Sequence, residues 1–456
     1  MHYLNRITWK RITAILLLLG ALGASAQNGQ PQFIKDAMKG CLVWDEYYGP
    51  QDKVTWTGGC KNKYAEGQGT LTWYEGEQLT ATYEGALRQG KPAGQGRYDI
   101  RNYARMEGTF YNGQLNGKGK MVFENGGRLE GNFVNGMFLD LDTFFLNRLS
   151  KHVLPFRDTA GIYSTGGGGL HYYALPPRDR IRATLVLLPS TRENTENVIS
   201  ANKTLIQEAF GKGILMVVVS ANSNKGLEHD TFAFNFLNRV FADVMAIYKA
   251  PPGTFILSGL SLGGENALQY TEMSRNPACS TLIRPMAVIG VDPPVDMEDL
   301  YLRAREEIAA YAKDSNNLTA GKQLAWNEDH FLVDYFHQLY GGPPEQFRDR
   351  YIAGSQFSRG QADGGNARYL LDVPVRLYCD PDILWQLKNR NRDYYHMNAA
   401  SLSAMINFLT INGNKQAELI PALGKGYRVD GTRHPHSWSI VDAGDCLNWI
   451  AGLIKE

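Results

Sequence analysis

Six short apolar runs beyond residue 180 constrain the fold of this chain more than any other feature. "ATLVLLP", "GILMVVVS", "GTFILSG", "RPMAVIGVD", "VPVRLYCD" and "AELIPAL" are rich in branched residues and lack polar alternation, the pattern of strands buried on both faces. Helix-like stretches lie between them. "DTFAFNFLNRVFADVMAIYK" opens on Asp230, a good N-cap, and repeats bulky apolar residues at helical spacing. This alternation predicts an α/β fold, a doubly wound and mostly parallel sheet with helices on both faces. At 456 residues the chain is longer than one core usually supports, so a second module is expected.

One turn in this scaffold draws the chemistry to it. In "TFILSGLSLGGEN" a buried strand passes through "GLSLGG" into a helix, which puts Ser261 on a sharp strand-to-helix turn above the carboxyl edge of the sheet. Gly259 and Gly263 flank it because backbone and helix approach closely there. The helix N-terminus adds N–H groups and positive dipole beside a developing oxyanion. A serine hydroxyl needs a histidine to take its proton, and the histidine needs a carboxylate to fix its tautomer. Asp380 and Asp382 follow the strand "VPVRLYC", and His434 and His436 follow in "GTRHPHSW".

The second half thus resembles the α/β-hydrolase superfamily through "GLSLGG", "PVRLYCDPD" and "HPHSW", over roughly residues 180–456 and in the chain order Ser, acid, His. The resemblance implies Ser261 as nucleophile, Asp382 as acid with Asp380 in reserve, and His436 as base with His434 in reserve. His436 is expected directly before a closing helix, "SWSIVDAGDCLNWI". No His-Gly-Gly stretch follows the strand "LVLLP", so the oxyanion hole is expected from the N–H groups of Leu262 and of Ser190 or Thr191. The glycine run at 166–169 reads as a loop near the first hairpin. A helical insertion at about 295–370 reads as a lid rich in aromatic residues, on which Glu306 and Glu307 are expected to form a solvated face.

The front half keeps a different rhythm. Gly58, Gly85, Gly108 and Gly131 open units at intervals of 27, 23 and 23, and Gly67, Gly94 and Gly117 follow nine residues into the first three. Each unit suits two short strands and a tight turn, and one hairpin cannot bury its own face, so the hairpins must stack. Residues 54–137 resemble the MORN repeat, matched by "YEGALRQGKPAGQG" and "MEGTFYNGQLNGKG". That resemblance implies a small all-β hairpin solenoid preceding the hydrolase, used for protein or lipid contact; a passive spacer is the alternative. Residues 27–53 form a lead-in, 138–182 a connector with the first strands, and 183–456 the hydrolase domain.

Residues 1–26 read as a signal peptide: a charged start, the apolar run "ITAILLLLGALG" and the small-residue site Ala24-Ser25-Ala26. Cleavage before Gln27 would export the chain to the periplasm or beyond the cell. Its 47 basic and 46 acidic residues give no electrostatic footprint for nucleic acid. The five cysteines are too scattered for a metal site, Cys41 and Cys60 could pair once exported, and no nucleotide or metal motif is present, so no cofactor and no metal are expected. The expected activity is that of a serine esterase acting on a small-molecule or polymer-borne ester. A peptidase or other acyl transferase on the same triad, or an inactive hydrolase-fold scaffold, are the alternatives.

Overall fold

The computed structural model describes residues 31–46, 48–157, 169–190, 193–221, 223, 225–227, 229–312 and 318–454. Residues 1–26, where the signal peptide is expected, Thr191 and the glycines at 166–168 lie outside the described residues. The chain divides into two units, Met1–Asp142 with Val429–Thr432, and Thr143–Arg428 with Arg433–Glu456.

The first unit is an eleven-stranded sheet: β1 (Gln32–Lys35), β2 (Leu42–Asp45), β3 (Asp52–Trp56), β4 (Gly59–Lys61), β5 (Tyr64–Glu75), β6 (Gln78–Arg88), β7 (Lys91–Ile100), β8 (Ala104–Tyr111), β9 (Gln114–Phe123), β10 (Arg128–Val134) and β11 (Met137–Phe138). From β5 to β11 each strand pairs antiparallel with the next. The glycine rhythm becomes a row of direct cross-strand partners, Gly69 with Gly85, Gly85 with Gly96, Gly96 with Gly108, Gly108 with Gly119 and Gly119 with Gly131. Large rings explain its first members, while a Cβ at Gly108 would meet the backbone of Lys118 and Gly119. A Cβ at Gly69 would meet Trp56, and at Gly96 it would meet the ring of Tyr83, so the buried rings lie flat against bare backbone. Asn112-Gly113 and Asn135-Gly136 both take positive φ, the backbone of the type I′ turn that matches strand twist. Cys41 and Cys60 form a disulfide with a Cα–Cα distance of 5.8 Å.

The second unit holds an eight-stranded sheet: β12 (Ser150–Arg157), β13 (Gly169–Leu175), β14 (Ala183–Leu188), β15 (Ile214–Val219), β16 (Phe255–Leu260), β17 (Ala287–Val291), β18 (Val375–Cys379) and β19 (Ala417–Pro421). Their order is β12-β13-β15-β14-β16-β17-β18-β19. The first two pairings are antiparallel, and those from β15 through β19 are parallel. All six apolar runs are strands. The helices used below are α1 (Thr195–Ala201), α2 (Thr231–Tyr248), α3 (Leu262–Met273), α4 (Met297–Tyr311), α5 (Ala320–Tyr340), α6 (Pro344–Gly354), α7 (Ile383–Arg390), α8 (Asn398–Ile411) and α9 (Ala443–Leu453). Asp230 caps α2 by accepting from the Ala233 N–H at 3.0 Å. The fold is the α/β-hydrolase arrangement: a mostly parallel sheet whose central strand β16 runs through the serine turn into α3.

Between β17 and β18 the helices α4, α5 and α6 bury their own cluster, Met297, Tyr301, Phe336, Tyr340 and Tyr351. Here one expectation fails. Glu307 is 5% exposed instead of lying on a solvated face. Arg392 gathers it with two neighbours, at 2.7 Å to Glu307, 2.6 Å to Glu328 and 2.6 Å to Asp329. Burial, the hydrogen bond to Glu307 and that group's charge hold Asp329 well above the usual carboxylate range, against the pull of Arg392. Arg392→Ala should therefore destabilise this region by about 3–5 kcal/mol, because it strands buried carboxyl groups without their cation. Denaturant unfolding followed by Trp fluorescence checks it; an unchanged midpoint contradicts it.

Candidate active site

Ser261 sits at φ 56° and ψ −124°, outside the regions a non-glycine residue favours. Two flanking glycines permit this. A Cβ at Gly259 would run into the Gly263 backbone, and a Cβ at Gly263 would run into the carbonyls of Leu188 and Pro189 at the end of β14. The Ser261 N–H donates to the Val291 carbonyl at 2.9 Å, fixing the turn to the neighbouring strand. Leu262 is the first residue of α3, so its N–H has no acceptor within the helix and is available to an oxyanion.

Asp292 stands next to Ser261 at the sheet edge, one residue beyond the Leu260–Val291 pair. It too has positive φ, 47°, a conformation aspartate tolerates better than most residues. Its Oδ2 lies 2.7 Å from His436 Nδ1. Two residues of strained backbone thus share one strand-end ridge, and the carboxylate holds the histidine by one ring nitrogen, Nδ1.

The electrostatics follow from this pairing. Burial pulls His436 down, but the Asp292 hydrogen bond and charge, with help from Glu328, more than offset it and leave the imidazole above its ordinary value. Burial raises Asp292 despite the bond to His436. Helix α5 carries two groups electrostatically coupled to this region. Glu328 acts on His436, and Glu265, in the first turn after Ser261, acts on Tyr335.

The acid expected after β18 is not the histidine's partner. Asp382 caps α7 through the Trp385 N–H at 2.9 Å and pairs with Arg433 at 2.7 Å. Asp380 accepts from the N–H groups of Gly424 and Gly426, both at 2.9 Å, and also pairs with Arg433 at 2.8 Å. Both carboxylates are consumed in folding the loop that carries the histidines. His434, the reserve base, is driven down to about 2 by burial and by the charges of Arg428 and His436; its Nδ1 lies 3.2 Å from the His436 carbonyl. It is a neutral packing group against Trp385. His436 precedes a short 3₁₀ turn, Trp438–Ile440, and the closing helix begins only at Ala443.

The oxyanion expectation changes as well. The Ser190 N–H already donates to Glu193 Oε2 at 2.9 Å, so it is not free for a substrate oxygen. Glu193 also accepts from Trp438 Nε1, at 3.0 and 3.1 Å. Asp292 and Glu193 are the residues sequence reasoning missed. Asp292 had a signal: it ends "AVIGVD" one step past its strand, where Ser261 stands relative to β16.

These features define a chain with MORN repeats followed by an α/β-hydrolase fold. The family model of the MORN repeat matches residues 57–78, 83–105 and 107–128. Among solved structures, the chain is similar to MPT51 of Mycobacterium tuberculosis, at 14% identity and TM-score 0.41, over 67% of this chain and 99% of that one. It is similar to an esterase of Pyrobaculum calidifontis, at 16% identity and TM-score 0.40, over 68% and 85%. It is also similar to esterase B of Lactobacillus rhamnosis, at 12% identity and TM-score 0.40, over 67% and 87%. No curated protein matches the chain.

Proposed function

We propose that the second unit hydrolyses carboxylic esters by acyl transfer through Ser261, and one observation carries the reading: the 2.7 Å bond between His436 and Asp292 on the strand-end ridge that holds Ser261 in a strained turn. His436 Nε2 takes the hydroxyl proton as Oγ attacks the ester carbonyl carbon. The Leu262 N–H stabilises the oxyanion. On collapse the carbon–oxygen ester bond breaks, and His436 returns the proton to the leaving alkoxide. Water then attacks the acyl-enzyme by the same route, giving the acid and restoring the serine. Asp292 fixes the histidine tautomer and stabilises imidazolium. A fluorophosphonate probe should label the purified chain at Ser261, read by peptide mass spectrometry. Labelling elsewhere, or none, overturns the proposal.

The same proposal places the enzyme outside the cytoplasm. The Cys41–Cys60 disulfide suits an oxidising compartment, and the first 26 residues carry an export pattern. Protein purified from its native host should begin at Gln27 on N-terminal sequencing. A chain that starts at Met1 contradicts the placement.

A further inference from the structure

Glu193 links two loops that meet at the site. The end of β14 is pressed against the serine turn, since the Leu188 and Pro189 carbonyls occupy the space a Cβ on Gly263 would need. Glu193 lies four residues beyond Pro189. One carboxylate oxygen accepts the Ser190 N–H at 2.9 Å, and both oxygens accept the Trp438 indole N–H, at 3.0 and 3.1 Å. Trp438 is 4% exposed and lies two residues beyond His436. The Asp292 bond holds the imidazole by Nδ1 alone, which leaves the tilt of the loop behind it to be set by other contacts.

We propose that Glu193 is a positioning residue for the reaction: its single carboxylate ties the loop after β14 to the loop carrying His436, and so sets the distance between base and nucleophile. This rests on the acyl-transfer reading above. Two N–H donors on one carboxylate fit its ionised form, because a protonated carboxyl would turn one acceptor into a donor facing N–H groups. Burial raises Glu193 above the usual carboxylate range, while the Ser190 and Trp438 bonds and the charge of His436 oppose it. The charged groups acting on His436 are Asp292 beside it, Glu328 from the lid helix α5 and Arg428 from its own loop. Glu193 is one more negative charge in that set, so its loss makes the imidazolium less stable.

The test separates position from charge. Glu193→Ala should lower kcat on a small aryl acetate on the order of 10–100-fold with KM little changed, as a misplacement of about 1 Å does. Glu193→Gln keeps an acceptor for the Ser190 N–H and should recover part of kcat, yet the acid limb of its kcat/KM profile should still lie at lower pH than in the parent. If Glu193→Ala does not fold, the isosteric Gln variant decides through that limb. Parent-like kcat in the Ala variant, or a Gln profile superimposing on the parent, overturns the inference. Fluorophosphonate labelling distinguishes the two readings. A parent chain that resists the probe defeats the acyl-transfer proposal itself, whereas parent and Glu193→Ala chains labelled at equal rates defeat only the role of Glu193.

Discussion

Ser261→Ala should lower kcat for a small activated ester on the order of 10⁶-fold while the chain still folds. The hydroxyl is the only atom removed, and nothing in the core rests on it. Its backbone N–H still reaches the Val291 carbonyl, and the turn is held by glycines on either side. Matched circular dichroism spectra and thermal transitions should accompany the lost turnover. A further variant exploits the strain. At φ 56° a glycine is at ease where serine and alanine are not, so Ser261→Gly should be equally inactive but more stable than Ser261→Ala by about 1 kcal/mol. Full esterase activity in purified Ser261→Ala would make "GLSLGG" a tight turn and nothing more.

Asp292→Asn is the second large effect, with kcat expected to fall by roughly 10³–10⁴-fold. The amide keeps the shape of the side chain but offers His436 a neutral partner, which neither selects the productive tautomer nor stabilises imidazolium. The pH profile supplies a second readout. His436 lies above the ordinary histidine value, and the base must be neutral to accept a proton, so parent kcat/KM should fall as pH drops through that raised value. Removing the Asp292 charge should move the limb to lower pH in the residual activity. Asp382→Asn is the control. Asparagine caps a helix as well as aspartate does, and only the ion pair to Arg433 weakens, so kcat should stay within about tenfold of the parent. If Asp382→Asn is the damaging change and Asp292→Asn is mild, the histidine takes its carboxylate from the loop after β18, and the ridge described here is not the reacting one.

These carboxylates differ in ways that local sequence does not determine. Asp292, Asp380 and Asp382 all follow strands of the same sheet, and local sequence treats them alike. Arg433 and the two glycine N–H groups distinguish them, because they occupy Asp380 and Asp382 before any histidine can. Ser190 is a parallel case. Its N–H looked available until Glu193, three residues on, folded back to take it. Glu307 is a further case: its neighbour Glu306 is exposed, while partners distant in sequence, Arg392 85 residues away and Asp329, hold Glu307 inside.

What the sequence determined by itself is whatever short-range physics enforces. Short branched apolar runs bounded by turn residues favour strands buried on both faces, so the strands of the parallel sheet were legible in them, while their order in the sheet, with β14 between β15 and β16, was not. Glycines at fixed spacing can only be places where rings or turns exclude a side chain, so the repeats and the strained serine were legible too. The tertiary structure decided which partner each polar group takes. Hydrogen bonds and ion pairs form between whichever groups the fold brings within about 3 Å, and that proximity depends on every intervening element at once. Ser261 was therefore visible as one residue in a pentapeptide. Asp292 ends its strand as Ser261 ends β16, but it is set apart from Asp380 and Asp382 as the histidine's partner only where two strands, 31 residues apart in sequence, end side by side.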